Sequence, residues 1–309
     1  MWIKNIQKFY HTIVKFLSVD IWQIDGASFG RRKAWGVRHL RILLVTLRNM
    51  SLHNVGLQAA AFTFFTMVAI VPFIAVAYAI TKGFGFSVEL ESLIYANFSE
   101  QEEIVQWVLT FANNLLNTSK SGLFGIIGFI TFFWSVVWAM ISVEQAFNQI
   151  WQVKSNRSIL YTVSVYIGLI ILSPVVIGGF FVIPLGYNYL IQTTGLQFAI
   201  LSPFKPVVVW LLHFVFLATF IFMAYKLIPS TKVRSKPALH ATVLTTLAFM
   251  AIQMLYVETQ LFVSKLNAVY GAFAAIPFFM VWMNMNWFLI LLGAEFSYTF
   301  QNDDIKTTI

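Results

Sequence analysis

The chain has 309 residues, of which 59% are hydrophobic and 10% charged, with a mean hydropathy of +0.77 and a formal net charge of +8. A soluble domain carries roughly 25% charged residues, so this composition favours a lipid bilayer as the solvent. The absence of Cys excludes disulfides, thiolate catalysis and Cys-ligated zinc.

The first 54 residues are basic and amphipathic, and no small-residue cleavage site follows a clean apolar core. Two stretches, IKNIQKFYHTIVKFL and VRHLRILLVTLRN, place cations on one helical face and apolar side chains on another. This pattern predicts helices that lie in the membrane interface. We expect them to act either as an anchoring collar or as a docking surface for anionic lipid headgroups. The headgroup candidates are Arg38, Arg41 and Arg48.

Six windows are long and apolar enough to cross a bilayer, which takes about 20 residues. We therefore predict an all-α integral membrane protein, with a six-span domain over residues 55–298 and a tail over residues 299–309. The third window contains proline and glycine positions that predict a bent or broken helix. The windows are 55–80, 123–149, 159–185, 207–228, 239–263 and 271–298, and the positions in the third are Pro174, Gly178, Gly179 and Pro184.

A loop over residues 81–122 separates the first two windows. The stretch SEQE at 99–102 can form a capping box, and apolar residues follow it at helical spacing. We expect this loop to contain an amphipathic helix over the outer mouth of the bundle. Such a helix is either a packed connector or a substrate gate.

The connecting segments differ strongly in their basic residues. The set that contains both termini holds sixteen of the twenty Lys and Arg residues, and the opposite set holds four. Because Lys and Arg accumulate in cytoplasmic segments, we predict that both termini are cytoplasmic. The same distribution argues against a nucleic-acid partner, since the cations flank spans where anionic headgroups lie.

Polar side chains inside the windows are the candidates for a binding site, because lipid cannot satisfy an amide or a carboxylate. At 100° per residue, Asn284 shares a helical face with Glu295, whereas Asn286 shares a face with Gly293 and Ser297. A small-residue stripe with one amide predicts that Asn286 holds two helices together. We expect Asn284 either to line a cavity that continues toward Glu295 or to pack between helices.

Glu144 and Asn148 lie one turn apart in the second window. They form either an interfacial pair with Lys154, Arg157 or the basic collar, or a contact for a substrate or ion. Two further cavity candidates are Gln253 and His213.

No catalytic constellation is visible in the sequence. It contains no Gly-rich phosphate loop, no HExxH motif and no His and Asp cluster at metal-ligand spacing. We therefore predict a protein that is not an enzyme and that carries neither a metal nor a cofactor.

Several blocks of the sequence, in order, resemble the YihY/virulence factor BrkB family, once labelled ribonuclease BN. The resemblance covers residues 40–300, and Gln149 departs from it at a position where the family is expected to carry Arg. It implies an inner-membrane protein with six spans and cytoplasmic termini, and a role in moving lipids or other amphiphiles, or in envelope integrity. The blocks are LQAAAFTFFTMVAIVPF, VEQAFNQIWQVK, YKLIPSTKVRSKPALHA, YGAFAAIPFFMVW and LLGAEFSYTF.

Three hypotheses for the function remain open. The leading one is a transporter or flippase-like protein for an amphiphilic, anionic, lipid-like substrate, with membrane lipids as its partners. The second is a non-transporting scaffold that recruits envelope proteins through the basic helices and the outer loop. The third, a membrane nuclease, requires a divalent metal site. The substrate, the energy source and the oligomeric state do not follow from the sequence.

Overall fold

The computed structural model is helical and contains no strand over the residues that it describes. These are residues 20–23, 31–83, 123–154, 205–270 and 275–306, with isolated residues 15, 91, 92, 95, 106, 109, 110, 113, 114 and 164. The helices are α1 (Ile21–Gln23), α2 (Arg31–Leu52), α3 (Val55–Gly83), α4 (Leu123–Ile150), α5 (Lys205–Leu227), α6 (Ser235–Tyr270) and α7 (Ala275–Lys306).

Three of the described helices are long and apolar enough to cross a membrane, and they coincide with the fourth, fifth and sixth predicted windows. They are Pro206–Leu227, Ser235–Thr259 and Ile276–Asn302. The helices α3 and α4 occupy the first and second windows, and Val55–Ala69 within α3 is a shorter apolar segment. The helical fold is thus confirmed over the described residues and is consistent with a membrane protein, whereas the count of six spans stays a prediction.

Some of the predicted elements lie outside the described residues. They include the capping box of the outer loop, the whole third window except Ser164, and the first amphipathic stretch except Lys15. The second amphipathic stretch is helical, as predicted, and forms the middle of α2. The sixth helix extends beyond its predicted window, because α7 runs to Lys306.

Two helix ends carry non-glycine residues in the left-handed region. Asn54, with φ 51°, lies in the two-residue corner between α2 and α3, where the His53 amide donates to the Asn49 carbonyl at 2.8 Å. Gln152, with φ 53°, follows α4, and the next amide donates back to the Asn148 carbonyl at 2.9 Å. The second pattern is a Schellman end, which satisfies carbonyls that the helix leaves unpaired. The first end brings His53 close to Glu295 of α7, and the second brings Trp151 close to Tyr298 of α7.

The segment that joins α5 to α6 completes one end of the bundle. Lys226 Nζ donates to the Val233 carbonyl at 2.7 Å and approaches Ser235 Oγ at 3.2 Å, which closes the segment on itself. Together with the α2–α3 corner and the end of α4, this segment forms what we call the basic end of the bundle. Its cations are Lys154, Lys226, Lys232, Arg234 and Lys236.

The helix α7 lies at the centre of the described bundle and packs against α2, α3, α4, α5 and α6. The core around it is apolar and lies toward the basic end. Its largest fully buried apolar side chains are Val55 from α3, Phe147 and Ile150 from α4, Tyr225 from α5 and Leu291 from α7.

The outward faces of α5 and α6 are apolar. Trp210, Leu211 and Val215 on α5 are exposed, as are Met254 and Leu255 on α6. In water such a surface would be costly, whereas hydrocarbon accepts it because the backbone polar groups are already paired within the helices. These faces are therefore suited to contact with lipid.

Candidate functional site

One face of α7 pairs its polar side chains directly with α3. Asn284 Nδ2 donates to Thr63 Oγ1 at 3.4 Å, and Trp287 Nε1 donates to Thr66 Oγ1 at 2.9 Å. Each threonine hydroxyl also donates to the carbonyl four residues earlier in α3. Asn284 therefore packs between helices in this structure, which is the second of the two predicted alternatives.

The same face of α7 carries Glu295 toward the basic end. Its side chain is fully buried, and its Oε1 pairs with Nδ1 of His53, whose side chain is 12% exposed. Burial of a carboxylate costs several kcal/mol unless a cation or hydrogen-bond donor compensates it. The α2–α3 corner supplies that partner, so the corner and α7 are joined by a buried polar contact. Nearby, Thr46 Oγ1 donates to Thr299 Oγ1 at 3.3 Å.

Apolar side chains separate the two polar positions of this face. Leu291 is seven residues after Asn284 and four before Glu295, which places it on the same stripe of the helix. Its side chain is fully buried in the core that also contains Val55 and Ala59. Asn284 and Glu295 thus share a face, as predicted, but an apolar layer lies between them.

A second polar cluster joins the end of α4 to the segment after α5. Ser230 Oγ donates to Glu144 Oε1 at 3.0 Å, and the Ser230 amide donates to Asn148 Oδ1 at 2.7 Å. Asn148 Nδ2 donates in turn to Ser230 Oγ at 3.1 Å. Glu144 and Asn148 do lie together, and both contact Ser230, a serine 82 residues beyond Asn148. Their predicted contact with Lys154 or the basic collar stays a prediction. Arg157 lies outside the described residues.

The opposite face of α7 approaches α5 and α6 closely. A Cβ added at Gly293 would lie 2.0 Å from both Thr245 Oγ1 and Tyr225 Oη, so only glycine fits there. Tyr225 Oη donates either to Thr245 Oγ1 or to the Ile290 carbonyl, each at 3.0 Å. The small-residue stripe through Gly293 therefore permits close helix packing, as the sequence predicts.

Asn286 lies on this opposite face and is 3% exposed. Its Nδ2 donates to the Trp282 carbonyl in its own helix at 2.9 Å. The prediction that Asn286 holds two helices together is therefore half right. The residue is buried in the helix interface, but the bond shown for its amide group is made within α7.

Three other predicted site residues lie on α2, α5 and α6. Gln253 is exposed on α6, so its place in an internal cavity stays a prediction. His213 Nδ1 contacts the Val209 carbonyl of its own helix at 2.9 Å. Arg41 donates through Nε and Nη2 to the Ile21 carbonyl at 2.9 and 2.7 Å, which fixes α1 against α2. Arg41 therefore has a structural role at this position.

The other two headgroup candidates, Arg38 and Arg48, are exposed on α2. Exposed apolar side chains accompany them on the same helix, with Trp35 at 64%, Leu43 at 40% and Leu47 at 51% exposure. A helix that exposes both cations and large apolar side chains has the chemistry of a membrane interface.

Sequence reasoning missed the partners that complete these contacts. His53 and Ser230 carry no local signal, because their partners are 242 and 86 residues away. Thr63 and Thr66 are visible as polar residues in an apolar window, although their pairing with α7 is not. Among the described residues, no three His, Asp or Glu side chains converge in a way that could hold a metal ion.

Comparison with known proteins identifies one family model and several related membrane proteins. A model of the family described as virulence factor BrkB matches residues 46–308. A UPF0761 membrane protein of Acinetobacter baylyi is 29% identical over 284 residues, which cover 89% of this chain and 65% of that protein. A relative from Paraburkholderia xenovorans is 30% identical, with coverages of 76% and 54%.

A shorter relative, from Pseudoalteromonas atlantica, is 26% identical, with coverages of 80% and 82%. The chain spans less than two thirds of the length of the first relatives that it matches, between 45% and 65%. No solved structure matches the chain.

Proposed function

Since the chain belongs to the virulence factor BrkB family of membrane proteins, we propose that it moves an amphiphilic, anionic, lipid-like substrate between leaflets of the inner membrane. The observation that carries this proposal is the polar face of α7. It places Asn284 and Glu295 inside the bundle, with the apolar layer at Leu291 between them, and ends near a helix that exposes Arg38 and Arg48.

A lipid headgroup needs two features that these residues offer. Cations at the interface attract an anionic headgroup, and each contributes roughly 1 kcal/mol near a charged surface. Polar groups within the bundle then replace part of the water that the headgroup loses. The bond from Asn284 to Thr63 is long, at 3.4 Å, so exchange of this partner for a headgroup oxygen costs little.

The apolar layer at Leu291 sets a condition on this function. A headgroup cannot pass the closed apolar core that contains Leu291, Val55 and Ala59, so α3 and α7 must separate during transport. The described structure corresponds in this proposal to a closed state. Movement of packed helices between two arrangements is a common basis for such opening.

The orientation of the bundle is part of the same proposal. Sixteen of the twenty Lys and Arg residues lie in the segments that share a side with the termini, which supports cytoplasmic termini in the inner membrane. Reporter proteins fused separately to each terminus test this arrangement in intact cells. External accessibility of either reporter would reverse it.

The transport experiment uses purified protein in liposomes that contain fluorescent phospholipids with anionic or zwitterionic headgroups. A membrane-impermeant quencher measures the fraction of label in the outer leaflet. We expect protein to accelerate exchange of the anionic lipids, and the double variant Arg38→Gln/Arg48→Gln to slow it several-fold. Gln145→Ala, an exposed position on α4, serves as the matched control. Absence of protein-dependent exchange for every headgroup would refute the transport function.

A scaffold is the second candidate, and one observation favours it. The polar groups of α7 contact neighbouring helices directly, and Gly293 permits a tight contact with α5 and α6. A scaffold needs such a closed bundle and no lateral opening. It predicts envelope proteins that co-purify in fixed ratio, together with no lipid exchange in the same liposomes.

A further inference from the structure

Five buried polar side-chain atoms on α6 and α7 have no hydrogen-bond partner among the described residues. Each atom is shielded from solvent, and Thr242, Thr246 and Ser297 are 0% exposed as whole residues. In native proteins such groups are uncommon, and a bound water or ion is a usual explanation. The atoms are Thr242 Oγ1, Thr246 Oγ1, Ser297 Oγ, Asn286 Oδ1 and Trp282 Nε1.

The hydroxyls of Thr242 and Thr246 differ from those of other threonines in the same bundle. Thr63, Thr66 and Thr219 each donate to the carbonyl four residues earlier, at 2.7 to 2.8 Å. That local bond is the simplest way for a threonine in a membrane helix to satisfy its hydroxyl. Thr242 and Thr246 do not make it. Their hydroxyls are therefore available to a group outside their own helix.

Two contacts fix how α6 and α7 face each other. The rings of Tyr256 and Trp282 stack with centroids 5.0 Å apart, and Gly293 lies against Thr245. A residue later in α6 thus faces a residue earlier in α7, so the two helices are antiparallel. In both pairs the residue numbers add to the same value, which gives one continuous register.

This register places four of the five atoms in two pairs, one on each side of the tight contact between Gly293 and Thr245, and it places Thr246 beside that contact. Toward the basic end, Ser297 lies within one residue of the level of Thr242. Toward the opposite end, Trp282 and Asn286 are four residues apart on the same face of α7. Four residues rise about 6 Å along a helix, and a water that bridges two groups spans roughly 5.5 Å.

We propose that the α6–α7 contact contains two binding sites for ordered water, one bridging Thr242 Oγ1 and Ser297 Oγ, and one bridging Trp282 Nε1 and Asn286 Oδ1. The second group is chemically complete for this ligand, because an indole N–H donates and an amide oxygen accepts. A water needs two to four polar partners to be held inside a protein, and each group provides at least two. The proposal is independent of lipid transport.

Two measurements test the proposal. The first compares the melting temperatures of Thr242→Val and Ser297→Ala in lipid nanodiscs with that of the control Thr219→Val. Loss of a bridging water from Thr242 or Ser297 should lower the melting temperature by about 2–4 °C relative to the control. A dry, unpaired hydroxyl gives the opposite sign, because its replacement by an apolar group removes a desolvation cost.

The second measurement applies X-ray hydroxyl-radical labelling to the wild-type protein, so it holds even if a variant fails to fold. Radicals form from water bound next to a side chain and oxidise that side chain. We expect Trp282 and Tyr256 to be oxidised faster than Trp210, which is 44% exposed on the outward face of α5. Labelling of Trp282 no faster than Trp210, or an unchanged or raised melting temperature in the variants, would overturn the proposal.

Discussion

Buried polar groups on the two faces of α7 find their partners in different ways. Toward α2 and α3, Asn284, Trp287 and Glu295 each contact a side chain on the neighbouring element. Toward α5 and α6, Asn286 bonds within its own helix and Gly293 allows a contact too close for any other residue. One helix thus combines direct polar pairing on one side with close backbone packing on the other. Membrane helices use both means of association, and here they are separated by half a turn.

The substitution with the largest expected effect disrupts the face of α7 that pairs with α2 and α3, at the α2–α3 corner. His53→Ala removes the imidazole that contacts Glu295 and leaves a fully buried carboxylate with less compensation. We expect a loss of roughly 3–5 kcal/mol in unfolding free energy, measured by denaturation in detergent. Leu52→Ala, at a neighbouring position that is 63% exposed, is the matched control.

A second substitution distinguishes the effect of the Glu295 charge from the effect of the cavity that His53→Ala creates. In the background of Glu295→Gln, where the carboxylate charge is absent, His53→Ala should cost much less. An equal cost in both backgrounds would show that the pair is not coupled and that packing alone explains the loss.

The substitution with the next largest expected effect disrupts the face of α7 that packs closely against α5 and α6. Gly293→Ala places a methyl group within 2.0 Å of Tyr225 Oη and Thr245 Oγ1, and Tyr225 is fully buried. We expect a loss of about 3 kcal/mol, at the upper end of the effect of overpacking. Tyr225→Phe should recover part of it, because it removes one of the two oxygen atoms in the way.

The controls for this face are glycines in open positions. A Cβ at Gly36 or Gly56 meets nothing within 4 Å, so Gly36→Ala and Gly56→Ala should be neutral or slightly stabilising. A loss at Gly56 as large as that at Gly293 would point to a general demand for helix flexibility in place of close packing.

A substitution with a smaller expected effect tests whether buried polar pairing also stabilises the bundle away from α7. Ser230→Ala removes the hydroxyl that contacts Glu144 and Asn148, while its backbone bond to Asn148 remains. We expect a loss of about 1–2 kcal/mol, because the hydroxyl leaves two buried groups with fewer partners. Thermal unfolding followed by tryptophan fluorescence measures it, with Gln145→Ala as the exposed control. No difference between the two variants would assign the cluster no role in stability.

The substitutions with the smallest expected effects compare two hydrogen bonds between α7 and α3. Asn284→Ala breaks a long bond, and Thr66→Val removes the shorter one from Trp287. We expect about 0.5 kcal/mol for the first and about 1 kcal/mol for the second, by the same unfolding measurement. The reverse order would contradict the assignment of Asn284 as the weaker, exchangeable contact.

The sequence predicted several features of the fold because they depend on local patterns. Hydropathy located the windows that became α5, α6 and α7, and helical geometry placed Asn284 with Glu295 and Asn286 with Gly293 on separate faces. Both of these results follow from spacing within one helix. The glycine stripe also predicted close packing, since only a small residue lets two backbones approach.

The sequence could not predict which helices meet. The partner of Glu295 is His53, and the partner of Glu144 is Ser230, and both pairings join distant parts of the chain. Gln253 illustrates the same limit. Its polar side chain in an apolar window does not show which way it faces, and it is exposed on α6. The packing of α6 against α5 and α7 decides which of its faces is buried.

The difference between the two faces of α7 is tested most directly by hydrogen exchange at two indole N–H groups, those of Trp282 and Trp287. The protein, labelled with ¹⁵N-tryptophan in nanodiscs, gives both signals, and substitution of each Trp by Phe assigns them. The Trp287 Nε1 proton is bonded to Thr66 and should exchange slowly. The Trp282 Nε1 proton has no partner among the described residues and should exchange faster through bound water. Equal rates, or slower exchange at Trp282, would contradict the account.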